Sequence, residues 1–119
     1  MGIYQREVCM ILVTGPAYAG KQDYICGRLG LSMEDFAKRG IRDAELLVRD
    51  EEDMEALAER LCAYEIVIMT ETGGGIVPAD ERERSEREKA GRLSCLLARR
   101  ADAVVRVVCG LPRMLKGEL

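Results

Sequence analysis

Three strongly apolar stretches stand out along the chain: "VCMILVT" (8–14), "IVIM" (66–69) and, interrupted only by Arg106, "AVVRVVCG" (103–110). Continuous apolarity rich in branched side chains predicts strands covered on both faces, as in a parallel sheet. Between these stretches the apolar positions return with a helical period. Met54, Leu57, Ala58, Leu61 and Cys62 recur at i, i+3, i+4, i+7 and i+8, which predicts a helix with one buried stripe. Asp50 would cap that helix, ahead of an acidic first turn that suits the helix dipole. Residues 80–101 predict a long helix whose second half turns Leu93, Leu96 and Leu97 to the core. Its first half has no large apolar residue and is either solvated or set against another chain. A shorter helix is expected from Gly20 to about Leu29, weakened by Gly27. Another lies within 31–43, opened by Ser32 with an acidic group three residues on, as in a capping box, and closed by Gly40; Phe36 would point inward. "ELLVR" (45–49) reads as a short strand and residues 111–119 as a tail. Strand and helix alternate without hairpin turns, which predicts an α/β fold with a mostly parallel sheet. A chain of 119 residues can bury such a core as a single domain spanning 1–119.

Composition narrows the function. A hydrophobic content of 48% with 33% charged residues describes a soluble globular protein. The net charge of −3 argues against nucleic-acid binding, although one helix N-terminus and one lysine suffice for a small anion. The apolar run after "MGIYQRE" is too short for a signal peptide or a membrane span, so a cytoplasmic protein without a membrane partner is expected. The five cysteines (Cys9, Cys26, Cys62, Cys95, Cys109) form no C-x-x-C pair and read as small buried hydrophobes. There is no histidine, which removes imidazole bases, histidine–metal sites and nucleotidyl-histidine intermediates together.

Two loops carry candidate chemistry. "LVTGPAYAGKQ" (12–22) places Gly15 and Gly20-Lys21 at the spacing of a phosphate-gripping loop between a buried strand and a helix. Glycines let backbone N–H groups turn to a phosphate, and the lysine adds charge at its terminal groups. Gly15, Ala19, Gly20, Lys21 and Gln22 are therefore the candidate nucleotide-binding residues. Gln22 stands where a small hydroxyl would coordinate Mg²⁺; its amide oxygen could substitute on a longer arm. Pro16 withdraws one donor, and Tyr18 brings a large ring to the loop. The second loop, "TETGGGIVP" (70–78), follows a buried strand at the sheet edge where α/β folds bind ligands. Glu71 there could bind Mg²⁺ or act as a base. Asp50 is a rival carboxylate.

The C-terminal half, "IVIMTETGGGIVPADERERSEREKAGRLSCLLARRADAVVRVVCGLPRMLK", closely resembles the CobU family, the bifunctional adenosylcobinamide kinase/adenosylcobinamide-phosphate guanylyltransferases. Glu71, Gly73, Gly75, Ile76, Val77 and Pro78 match the family's turn. Ala90, Gly91 and Arg92 match its helix, and Ala101, Asp102 and Gly110 its last strand. Gly15, Gly20 and Lys21 fit the family's opening loop. Thr70 departs from the family's Asn, Gln22 from its Ser, and residues 31–64 replace its longer middle region with the histidine.

The resemblance implies a P-loop-type three-layer α/β fold of reduced size, usually assembled as a homotrimer. It implies GTP or ATP with Mg²⁺ as cofactors and adenosylcobinamide as the acceptor. Three readings follow from it. A reduced enzyme could keep the kinase step, with Lys21 and Glu71 as catalytic residues and Gln22 and Glu71 as metal ligands, while the guanylyl step lapses without histidine. An inactive homologue could bind nucleotide or corrinoid, or regulate a partner. An assembly role could use the charged face of residues 80–89.

Overall fold

The computed structural model describes residues 10–72 and 80–119. Its frame is a five-stranded sheet of order β2-β3-β1-β4-β5. The strands are β1 (Ile11–Gly15), β2 (Gly40–Ile41), β3 (Ile66–Thr70), β4 (Ala103–Val108) and β5 (Leu111–Lys116). β1 pairs in parallel with β3 and β4, β2 pairs in parallel with β3, and β5 runs antiparallel to β4. The helices are α1 (Lys21–Leu29), α2 (Met33–Arg39), α3 (Met54–Leu61) and α4 (Glu81–Arg100).

Successive strand residues point to opposite faces, so each inner strand feeds two cores. On one face Val13, Ile66, Ile68, Val105 and Val107 pack with Ile25 of α1 and Phe36 of α2. On the other, Leu12, Val67, Met69 and Val104 pack with Leu57 and Leu61 of α3 and Leu93, Leu96 and Leu97 of α4. This is the expected three-layer α/β arrangement, consistent with a P-loop-type fold reduced in size. The expected cap of α2 is present in full: Asp35 N–H donates to Ser32 Oγ at 3.0 Å and Ser32 N–H to Asp35 Oδ2 at 3.2 Å.

Four expectations are corrected. Residues 45–49 are not a strand; Ala44–Asp50 is a 3-10 helix that buries Ala44 and Val48 and leaves Leu46 and Leu47 at the surface. A short apolar run cannot distinguish the two periods, and the edge strand is supplied instead by Gly40–Ile41. Because the 3-10 turn runs through Asp50, α3 starts later, and Asp53 caps it by accepting the Ala56 N–H at 3.1 Å. The supposed tail is β5, joined to β4 through Cys109 and Gly110, whose φ values of 55° and 75° give the paired left-handed turn of a tight hairpin. Lys116 Nζ then reaches the last carbonyls of α4, at Ala98 (3.1 Å) and Arg99 (3.0 Å). Finally, the described cysteines are less buried than expected: Cys26 and Cys62 are half-buried against the two cores, and Cys95 and Cys109 are exposed. Cys109 lies in the hairpin turn, and Cys95 borders a cleft between α4 and the sheet. Cys9 lies outside the described residues. No helix among the described residues is long and apolar enough to cross a membrane.

Candidate functional site

β1 and β3 are neighbours, yet β1 leads into α1 on one face and β3 is followed by α4 on the other. Adjacent parallel strands that part to opposite faces open a crevice at their carboxyl ends, the usual ligand position in such sheets. Both candidate loops start there. Glu71 N–H donates to the Gly15 carbonyl at 2.9 Å, which locks the end of β3 to the end of β1.

Residues 16–20 form the loop between β1 and α1. Its shape depends on Gly15, at φ 147°, and Gly20, at φ 81°, both in conformations that L side chains rarely adopt. Gly20 occupies the cap position of α1 without a side-chain cap, so the first-turn N–H groups are left to a ligand or solvent. The loop is tied from below, where Gly110 N–H donates to the Ala19 carbonyl at 2.8 Å. Tyr18 stands fully in solvent and leaves the loop's interior open.

Lys21 is the one buried charged residue among those described, 8% exposed, and its Nζ donates to the Pro16 carbonyl at 2.7 Å. Burial lowers its pKa from the ordinary lysine value, opposed by the nearby carboxylates of Glu45, Glu71 and Asp43. The lysine is thus folded over the loop, with the loop's own carbonyl as its partner. A cleft of about 370 Å³ opens beside it, lined by Ala19, Gly20, Lys21 and Gln22 on one side and Arg42, Asp43, Glu45 and Thr70 on the other.

The two side chains expected to serve a metal have other partners. Gln22 Oε1 accepts from Arg42 Nη1 at 2.7 Å, and Gln22 Nε2 points to Met33 Sδ at 3.5 Å. Glu71 holds Arg106 in a fork, with Nε to Oε2 at 2.6 Å and Nη2 to Oε1 at 2.9 Å. That fork, and to a lesser degree Lys21, keeps the Glu71 carboxyl below its ordinary pKa. Asp50, the rival carboxylate, is an exposed residue at the end of the 3-10 turn, outside the cleft.

Arg42, Asp43, Glu45 and Arg106 were not anticipated. Arg106 left a signal, a lone charge inside a valine strand, since a half-buried arginine in such a setting needs a partner. Arg42 to Glu45 left none, because reading 45–49 as a strand hid the turn that brings them to the loop.

The signature residues divide between scaffold and clefts. Asp102 pairs with Met10 through Met10 N–H to Oδ2 (3.1 Å) and its own N–H to the Met10 carbonyl (2.9 Å), which starts β4 beside β1. Gly110 makes the hairpin turn that supports Ala19. Ala90 and Gly91 line a second cleft of about 360 Å³ between α4 and the sheet, bordered also by Thr14, Thr70 and Glu71. Arg92 is exposed on α4. Gly73, Gly75, Ile76, Val77 and Pro78 lie outside the described residues.

Residues 24–115 match the family described as cobinamide kinase / cobinamide phosphate guanyltransferase. A relative from Pseudomonas aeruginosa, the bifunctional adenosylcobalamin biosynthesis protein CobP, is 43% identical over 53 residues, which cover 44% of this chain and 31% of the relative. The matched segment thus spans about a third of that relative's length. The family match begins just after the glycine loop, so the loop is identified by its geometry.

Proposed function

The chain belongs to the cobinamide kinase / cobinamide phosphate guanyltransferase family, and on that premise we propose that it acts at the kinase step of cobinamide metabolism as a nucleotide-binding protein. The observation that carries this reading is the buried Lys21 folded over a glycine loop at the β1/β3 crevice. Backbone N–H groups from Ala19 to Gln22 would hold the phosphates of GTP or ATP, and Lys21 would leave the Pro16 carbonyl to meet the terminal phosphate. In the transfer, the acceptor's hydroxyl oxygen bonds to the γ-phosphorus as the bond to the β–γ bridging oxygen breaks. Nucleoside diphosphate leaves with the added negative charge, which Lys21 stabilises, and the hydroxyl proton passes to solvent. Glu71, bound in both oxygens by Arg106, stays ionised and shapes the field of the site in place of taking a proton. Adenosylcobinamide is the proposed acceptor and a cytoplasmic homo-oligomer the proposed setting. The guanylyl step through a histidine has no residue to run on.

The test is incubation of the pure chain with adenosylcobinamide and GTP or ATP, followed by chromatography for the phosphorylated corrinoid. Product that disappears in Lys21→Ala is expected. Nucleotide binding by calorimetry without any product would favour the second reading, an inactive nucleotide-binding homologue, for which the arginine-held Gln22 speaks. Unchanged nucleotide affinity in Lys21→Ala would make the loop purely structural.

A further inference from the structure

Mg²⁺ takes six oxygens in a near-octahedral array and sheds its waters reluctantly, so a loop that recruits it must present open oxygens. At this cleft one oxygen each of Gln22, Asp43 and Glu45, and both of Glu71, already accept a donor from the protein. Gln22 Oε1 carries Arg42 Nη1 at 2.7 Å, and Asp43 Oδ2 accepts from Arg42 Nε at 3.2 Å. Glu45 Oε1 accepts the Thr70 N–H at 2.8 Å, and both oxygens of Glu71 hold Arg106. Among the described residues no group of three or more His, Cys, Asp or Glu side chains could hold a metal ion. The donor set does not fit Mg²⁺: at the cleft an ion on Gln22 or Asp43 would meet the Arg42 guanidinium, and Glu71 is already held by Arg106.

A second cation, Arg42, lines the cleft across from Lys21. Arg42 is held on two edges, by Gln22 and by Asp43, which fixes its plane at the cleft wall. Its Nη2 makes no bond among the described residues. A guanidinium positioned in this way keeps the Nη2 donors, and its full charge, for the oxygens of a phosphate group. The arrangement also gives the unusual glutamine a purpose. Serine or threonine in its place would be too short to span from α1 to residue 42, whereas the glutamine side chain makes that contact at 2.7 Å.

We propose that Arg42, oriented by Gln22, takes the place of the divalent cation in this loop and binds the phosphates together with Lys21, so that the site takes a polyphosphate without metal. This rests on the phosphate-loop reading and deepens it. Asp43 and Glu45 line the same cleft, but each has an oxygen occupied by a donor from the protein. Their charge sharpens the need for two cations where an ordinary loop presents one lysine.

Calorimetric titration of the full chain with GTP, and separately with inorganic pyrophosphate, in excess Mg²⁺ and in EDTA, tests this. The dissociation constants are expected to agree within about twofold between the two buffers, as a charge supplied by the protein requires. Arg42→Ala should weaken binding in EDTA by about tenfold or more, and Arg42→Lys should restore part of it. Arg42 is exposed, so an unchanged melting temperature should accompany the loss. Binding in Mg²⁺ that falls more than about tenfold in EDTA would overturn the proposal while leaving the phosphate loop intact, as would full affinity in Arg42→Ala. Absence of binding under every condition would remove the phosphate-loop reading as well.

Discussion

Gly15 is the residue on which both the sheet and the loop turn, and Gly15→Ala separates their contributions. Two costs add. At φ 147° an L residue occupies a region essentially reserved for glycine, which costs about 1–3 kcal/mol. A Cβ there would also run into the Val107 carbonyl oxygen, with the Val107 carbonyl carbon at 3.2 Å and nitrogen at 3.3 Å. Those are backbone atoms of a paired strand and cannot swing aside, so overpacking adds about 1–3 kcal/mol. The sum, about 2–6 kcal/mol, is a large part of the roughly 5–15 kcal/mol that holds a domain together. A melting temperature lower by about 10 °C or more follows for a chain of this size. Gly27 is the internal control: it lies within α1, where an added Cβ would meet nothing within 4 Å, so Gly27→Ala should stabilise by about 0.5–1 kcal/mol. Urea unfolding of both variants beside the parent decides the matter. If Gly15→Ala costs less than about 1 kcal/mol, then β4 does not pass this close beneath the loop and the account of the crevice fails.

Two further outcomes test other joints. Asp53→Ala should lower stability by about 1 kcal/mol and Asp50→Ala by little, because Asp53 accepts the Ala56 N–H; equal losses in urea titrations would contradict the assigned start of α3. The Glu71–Arg106 fork should appear in the pH dependence of stability. A carboxyl with a depressed folded pKa contributes stability that is fully present above its ordinary value near 4.5 and is lost as pH falls through the folded value. Both side chains are more than a third exposed, so solvent screening holds the contribution to about 1 kcal/mol or less. Arg106→Met should therefore flatten the acid limb of the stability profile, and an NMR titration should show Glu71 returning toward its ordinary pKa; an unmoved titration would mean the fork is absent in solution.

The inner strands and the helices that cover them were legible because each carries a long, consistent period. Ile66 to Met69 is apolar at every position and buried on both faces, and Met54, Leu57, Ala58 and Leu61 keep one helical stripe. The elements that escaped are those whose form is set by neighbours. Residues 111–116 are exposed throughout, so no apolar pattern marked them as a strand; they pair because the Cys109–Gly110 turn returns the chain alongside β4. Residues 44–50 carry four-residue spacing in too short a run to be told from a strand. A cap depends on where the preceding turn stops, so Asp50 and Asp53 could not be ranked without it.

The candidate loop announces itself by the spacing of its glycines and lysine, whereas the contacts of Arg42 and Arg106, with residues 20 and 35 positions away, are not readable from local pattern. That division bears on the resemblance itself. Asp102 sets β4 beside β1, and Gly110 turns the hairpin that holds the Ala19 carbonyl. These signature residues build the floor under the glycine loop. On the proposed reading, the chain keeps the scaffold of its family downstream of residue 24 while Arg42 takes the part of the ion in the loop. On this ground Gln22 is better understood as half of a new contact than as a missing hydroxyl.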